Sequence, residues 1–326
     1  MKLTKRELLR TIGLGAAGVA MSLLAGGVSL ADTDKIRMGY IADYFGTSMA
    51  AIATEKSLWE KHGLEADLKV FTNGPIQVQA LGAGSLDFAY IGPGALWLPA
   101  SGKAKVIAVN ALGYTDRVIA QPGIETIADL KGKKVGVPEG TSGDMLLRLA
   151  LERAGMTLDD IEVVRMDPST VVTAFGSGQV DGAGIWYPFV DVIRQRIPDM
   201  KELSSNEDFF PDVAFPSSFI VGGDMISNEA VIKKVNAVIK EALDFRRDNM
   251  EEAVDITAKF LNVPRGPLAA EAKLALLPSS EELEKLTREG KVDNWFDTLA
   301  GLYAAFGKIS DPLPAKDFYL SGLYAE

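Results

Sequence analysis

The sequence predicts an α/β protein built as two doubly wound lobes, and three observations predict it. Gly82-Ala83-Gly84-Ser85-Leu86-Asp87 recurs as Gly176-Ser177-Gly178-Gln179-Val180-Asp181, 94 residues further on. Gly46-Thr47-Ser48 recurs as Gly140-Thr141-Ser142 at the same offset, and two matches in one register point to a duplicated unit. Both halves also alternate apolar runs of strand length with periodic runs of helix length, as a parallel sheet covered by helices requires.

In the first half, Ile36 to Ile41 reads as a strand and Thr47 to His62 as a helix stopped by Gly63. Ala66 to Phe71 alternates as a second strand, Ile76 to Ala83 is a short helix, and Asp87 to Ile91 is a third strand. A helix from Gly94 to Ser101 and a strand from Lys105 to Ala111 close the cycle. The second half repeats it, with strands Lys134 to Pro138, Ile161 to Met166 and Gly182 to Trp186, and helices Gly143 to Ala154 and Ser169 to Gly176. Asp212 to Val221 reads as an extended return. From Asn228 the pattern is helical: Glu229 to Phe260, Glu281 to Glu289 and Asn294 to Phe306.

Residues 1–31 stand apart. Lys2, Lys5, Arg6 and Arg10 form a basic start, Thr11 to Gly27 is apolar or small, and Ser29-Leu30-Ala31 precedes Asp32 as a cleavage site would. A cleaved secretory leader is expected rather than a transmembrane anchor, because the segment is rich in Gly and Ala. Thr4 to Arg10 is similar to the twin-arginine export motif with Lys in place of its first Arg, so either that route or the general secretory one is open. The net charge of −10, made more acidic by loss of a basic leader, is ill suited to nucleic acid or an anionic membrane. With no Cys, no disulfide or lipidated cysteine is expected, and the product is expected to be soluble outside the cytoplasm.

Ligands of parallel α/β sheets bind beyond the carboxyl ends of the strands. Here those loops hold Asp43, Tyr44 and Phe45, then Gly92, Pro93 and Gly94, then Thr141, Ser142, Gly143 and Asp144, and finally Trp186 and Tyr187. The two Gly-Thr-Ser loops are each expected to precede a helix, where unpaired N–H groups and the helix dipole favour an anion; plain capping by Thr and Ser is the alternative. Asp43, Glu139 and Asp144 argue for something cationic, although Asp144 also suits the first turn of a helix. Tyr40, Tyr44, Phe45, Trp186 and Tyr187 could enclose an apolar body or an ammonium group, whereas Trp59, Trp97 and Trp295 read as packing. The single His62 lies at a helix end, so neither a Cys–His pair nor a His-rich metal site can be built, and no catalytic residue, metal or cofactor is expected.

The chain resembles the periplasmic substrate-binding proteins of ABC importers, the nitrate, sulfonate and taurine group. The resemblance rests on Lys56-Ser57-Leu58-Trp59-Glu60-Lys61-His62-Gly63-Leu64, both Gly-rich copies, Ile127-Ala128-Asp129-Leu130-Lys131-Gly132-Lys133-Lys134-Val135-Gly136-Val137 and Trp186-Tyr187-Pro188. It implies the type II periplasmic binding protein fold: 32–117 with 218–326 as one lobe, 118–217 as the other, and a two-strand hinge near Leu112 to Ala120 and Ala214 to Val221. It also implies closure over one small ligand, with Phe215, Ser217 or Ser218 on the return strand joining the loops above. Members that bind aminosulfonates can carry an acid in that return strand, where this chain has Ser217-Ser218. The expected function is capture, by a monomer, of a small organic anion or zwitterion, sulfonate- or taurine-like, or of another amine-bearing compound, for delivery to a membrane permease. The alternatives are a sensing module for a membrane receptor and an enzyme on the same fold.

Overall fold

The structure, a computed structural model, describes residues 33–325. The expected leader over 1–31 lies outside the described residues. The first repeat comprises β1 (Asp34–Ile41), α1 (Tyr44–Glu55), α2 (Leu58–Lys61), β2 (Leu64–Phe71), α3 (Gly74–Gly82), β3 (Phe88–Ile91), α4 (Trp97–Ala100) and β4 (Lys105–Gly113). The chain then forms β5 (Asp116–Ala120) and the second repeat: β6 (Lys134–Val137), α5 (Ser142–Arg153), β7 (Glu162–Arg165), α6 (Pro168–Gly176), β8 (Gly182–Trp186), α7 (Phe189–Arg196) and β9 (Lys201–Ser205). After β10 (Pro216–Val221) come α8 (Glu229–Asp248), α9 (Met250–Leu261), α10 (Arg265–Glu271), β11 (Ala275–Leu276), α11 (Ser280–Arg288), α12 (Lys291–Ala305), α13 (Ala315–Phe318) and α14 (Ser321–Tyr324).

Two sheets result, ordered β11-β4-β10-β3-β1-β2 and β7-β6-β8-β5-β9. β1 pairs in parallel with β2 and β3, and β6 with β7 and β8. Each sheet also holds one antiparallel strand delivered by a crossing, β10 between β3 and β4 and β5 between β8 and β9. The chain changes sheet between Gly113 and Asp116 and returns between Ser205 and Pro216. Asp116 and Arg117 therefore belong to the second sheet, and Pro216 and Ser217 to the first, so both crossings fall ahead of the boundaries expected from sequence.

The Gly-rich copies do the same work in both lobes. Gly84 and Gly178 take left-handed φ of 66° and 72° to end α3 and α6, a conformation that costs a glycine little. The Asp87 carboxylate then accepts Arg37 N at 2.8 Å, while Asp87 N donates to Arg37 O at 2.9 Å. Asp181 repeats both bonds with Lys134, at 2.9 and 2.7 Å. Burial alone would raise the Asp87 carboxyl, but the Arg37 side chain and N–H hold it below its ordinary value.

The Gly-Thr-Ser echo is not equivalent in space. Only Gly140-Thr141 precedes its helix; Gly46, Thr47 and Ser48 lie inside α1, which starts early because the Asp43 side chain accepts Gly46 N at 2.6 Å and caps it. The structural partner of Thr141 is thus Asp43, not Thr47, since both are N-caps. Helices expected to be continuous are also interrupted, at Lys56-Ser57 with Ser57 left-handed, and at Asn249 between α8 and α9. Both α8 and α9 pack on α1, so the late helices complete the first lobe. Among the described residues no helix is long and apolar enough to cross a membrane.

Candidate functional site

The carboxyl ends of β1, β3 and β8 and the loop after β6 converge on a cleft of about 580 Å³, its mouth included, between the two sheets. The first lobe contributes Ile41, Asp43 and Phe45, the Asn73-Gly74-Pro75 turn, Tyr90, and Gly92-Pro93 with Ala95. Gly113, Thr115 and Asp116 enter on the first crossing, Thr141, Ser142 and Trp186 from the second lobe, Ser217 on β10 and Glu271 at the end of α10. No Lys, Arg or His is among these lining residues.

The charge in the cleft is of one sign. Asp43, Asp116 and Glu271 are 6%, 2% and 1% exposed. Burial pushes Asp43 up to about 7, aided by the charge of Asp116 and opposed by Gly46 N–H and the Trp186 indole. Burial pushes Asp116 up to about 6, with Ser142 and Asn206 side chains and Arg117 pulling it back. Even so, among the described residues Asp116 Oδ1 and Asn206 Nδ2 are buried without a hydrogen bond of ordinary length. Glu271 Oε2 accepts Tyr44 N at 3.0 Å, and burial, then Asp43, hold that carboxyl well above its usual range.

The buried cations nearby are committed elsewhere. Arg246 lies behind the Phe45 ring, 5.7 Å from its centroid, and donates to Ser48 Oγ, Asn110 Oδ1 and Asn110 O. Asn110 in turn donates to Ser217 Oγ at 3.1 Å, which ties that lining hydroxyl to the network beneath it. Arg117 donates to Glu202 and to the Tyr114 and Asp116 carbonyls.

Of the residues expected from sequence, Asp43, Phe45, Gly92 and Pro93 line the cleft from one lobe and Thr141, Ser142 and Trp186 from the other, with Ser217 on the return strand. The remainder do not line it. Tyr44 is fully buried against Phe45, and Phe215 is in the core. Gly143 sits against Gly184, where a Cβ would meet the Gly184 oxygen at 2.5 Å, so it serves helix-to-sheet packing. Asp144 accepts Gly140 N at 2.8 Å and pairs with Arg148 at 2.9 Å. Tyr187 stacks on Arg117 and donates to Glu202. Glu139, taken as a possible cationic contact, pairs with Lys308 and Arg165, and His62 bonds Glu241 at 2.8 Å.

Gly94 has another role, because it touches the opposite lobe: a Cβ there would come within 1.9 Å of Ser142 N. Around it, Trp97 Nε1 donates to Gly140 O at 3.2 Å, Tyr303 donates to Pro93 O and contacts Met145, and Lys308 pairs with Glu139 at 3.1 Å. The lobes are therefore in contact beside the cleft. Sequence reasoning missed Asn73, Tyr90, Thr115, Asp116 and Glu271. Asp116 carried a signal, an acid opening an otherwise apolar run into Val118-Ile119-Ala120; Glu271 carried none, since its helix reads as ordinary C-terminal packing.

Comparison with known proteins agrees with this architecture. A Brucella abortus protein, whose name gives "binding protein" and no ligand, is 60% identical over 95% of this chain and 97% of its own length. The crystal structure of the periplasmic aliphatic sulphonate binding protein SsuA from Escherichia coli has the same fold, at 22% identity and a TM-score of 0.68 over 90% of this chain and 99% of that one. The ligand binding component of an ABC-type import system from Staphylococcus aureus superposes with a TM-score of 0.74 at 17% identity, over 90% and 98% of the two chains. The expected two-lobed α/β fold is the fold of these proteins. Since a family model described as NMT1/THI5 like matches residues 47–253, most of the chain, and the Brucella relative matches almost all of it, the chain belongs to the NMT1/THI5 like family.

Proposed function

We propose that this protein is the extracytoplasmic solute-binding component of an ABC importer, which captures one small amine-bearing solute between its lobes and presents it to a membrane permease. It acts as a monomer, by binding alone. The observation that carries this reading is the cleft, lined from both sheets by three buried carboxylates and by no basic side chain. Such a lining suits an amine, alone or in a zwitterion, and opposes a simple sulfonate, which would bring a further negative charge among three buried acids with no basic side chain lining the cleft to receive it. The Phe45 and Trp186 rings supply apolar walls, and capture between lobes needs only a closed state that the ligand prefers.

Thermal-shift screening of the protein against amines, amino acids, taurine and alkanesulfonates tests the reading. An amine-bearing compound is expected to raise the melting temperature, because it binds only the native state. The shift is expected to vanish in Trp186→Ala. Chemical conversion of the bound compound would replace the capture reading with an enzymatic one.

A further inference from the structure

We propose, building on that capture reading, that closure of the cleft is gated by charge: a cationic ligand group with at least two N–H donors bridges Asp43 of the first lobe and Asp116 of the second, and without it the two carboxylates oppose closure. Asp116 supplies the sharpest observation. Its side chain lines the cleft at 2% exposed, and among the described residues its Oδ1 has no hydrogen bond of ordinary length, although the Ser142 and Asn206 side chains lie near enough to favour its charged form. An ionised carboxylate oxygen is an acceptor only, so the partner that completes the Asp116 carboxylate must carry a hydrogen. Opposite it, Asp43 accepts one backbone N–H, from Gly46, and Glu271 adds a third carboxylate to the same wall.

Three classes of ligand fail this environment. An anion such as a sulfonate meets three acids and no base among the lining residues. A quaternary ammonium carries the right charge but no N–H, and would leave Asp116 Oδ1 buried and unbonded. A metal ion is unsuited because, among the described residues, no three acidic or imidazole groups lie close enough together to hold one. A primary ammonium, amidinium or guanidinium group satisfies both carboxylates through charge-assisted bonds, and the faces of Phe45 and Trp186 suit a cation beside them.

The gate follows from where the acids sit. Asp43 caps α1 in one lobe and Asp116 opens β5 in the other, so closure brings two like charges toward each other in a water-poor gap. A bridging cation turns that repulsion into attraction, and the ligand's differential affinity for the closed form is the closing force. An importer built this way presents few empty closed molecules to its permease.

The test is calorimetric titration of the purified protein with ethanolamine, agmatine, choline and ethanesulfonate, together with small-angle scattering of the ligand-free protein and of Asp116→Asn. Ethanolamine or agmatine is expected to bind at least about tenfold more tightly than choline, and ethanesulfonate not at all. Asp116→Asn is expected to lose about tenfold or more of that affinity. The same variant should keep or raise the ligand-free melting temperature and scatter as a more compact particle, which a merely structural residue would not do. Equal binding of choline and ethanolamine, or binding of ethanesulfonate abolished by Trp186→Ala, overturns the charge gate while leaving capture intact. Failure of every N–H cation to bind also overturns it. If Asp116→Asn does not fold, the four titrations of the unmodified protein decide alone.

Discussion

The two Gly-rich copies and the two Gly-Thr-Ser copies share one sequence register and part company in space. Asp87 and Asp181 make the same pair of backbone bonds in their lobes, because both finish a helix-to-strand turn whose geometry is fixed by backbone alone. Gly46-Thr47-Ser48 lies within a helix, with Ser48 buried beside Arg246, whereas Thr141 and Ser142 face the cleft. Duplication has kept what builds each lobe and released what faces the ligand. The cleft is consequently asymmetric, with Asp43 and Glu271 on one side and Asp116 and Trp186 on the other.

Glycines on the two kinds of surface give the largest effects. A methyl group on Gly94 meets the Thr141-Ser142 backbone of the opposite lobe, so Gly94→Ala is expected to weaken ligand binding about a hundredfold, close to 3 kcal/mol. Its ligand-free melting temperature should barely change, since the atoms nearest that methyl group all belong to the opposite lobe. Gly143→Ala meets Gly184 of its own lobe, and is expected to destabilise the fold itself by about 1–3 kcal/mol, read from urea unfolding. A Gly94→Ala variant that binds normally would break the distinction between surfaces.

The repeated acids sharpen it further. Asp87→Asn and Asp181→Asn are each expected to cost about 1–3 kcal/mol. Asp87→Asn should cost more because Arg37 also loses a salt bridge of 2.6 Å. Asp87 lies below its ordinary value when folded; its contribution is present above the unfolded carboxyl's titration and lost as pH falls through the depressed folded one. The cleft acids run the opposite way. Asp43 at about 7 and Asp116 at about 6 when folded bind protons that the unfolded chain has already released. Ligand-free stability should therefore fall as pH rises from about 4 toward 7, by up to about 1.4 kcal/mol per unit for each group, with the slope reduced in Asp116→Asn. The smallest effect is expected at Lys308→Ala, which removes a partly exposed ion pair to Glu139 across the lobes and should weaken binding by a few-fold at most.

Most of the frame was legible because its signals are local. Strand and helix order, the turn glycines and the duplicated Asp all follow from short-range patterns, and the strand-end rule led to Asp43, Thr141, Ser142 and Trp186 in the cleft. What escaped depends on distant contacts. Glu271 reaches the cleft only because α10 folds back to meet Tyr44 N, and β5 is a strand because β8 and β9 flank it. Asp144 and Tyr187 look like ligand residues in sequence and are claimed instead by Arg148, Arg117 and Glu202. Nothing in the sequence could rank an arginine partner four residues away above a ligand not yet known.

The placement of β10 has a consequence for how the chain is made. Because β10 lies between β3 and β4, the first sheet stays split, with two unpaired strand edges, until residues 216–221 have been synthesised. The second sheet needs nothing beyond Ser205. During translation the lobe begun second can thus be finished first, and the earlier one waits with open edges of the kind that recruit foreign strands. That delay makes the first lobe the part of the nascent chain that a folding chaperone has longest to engage.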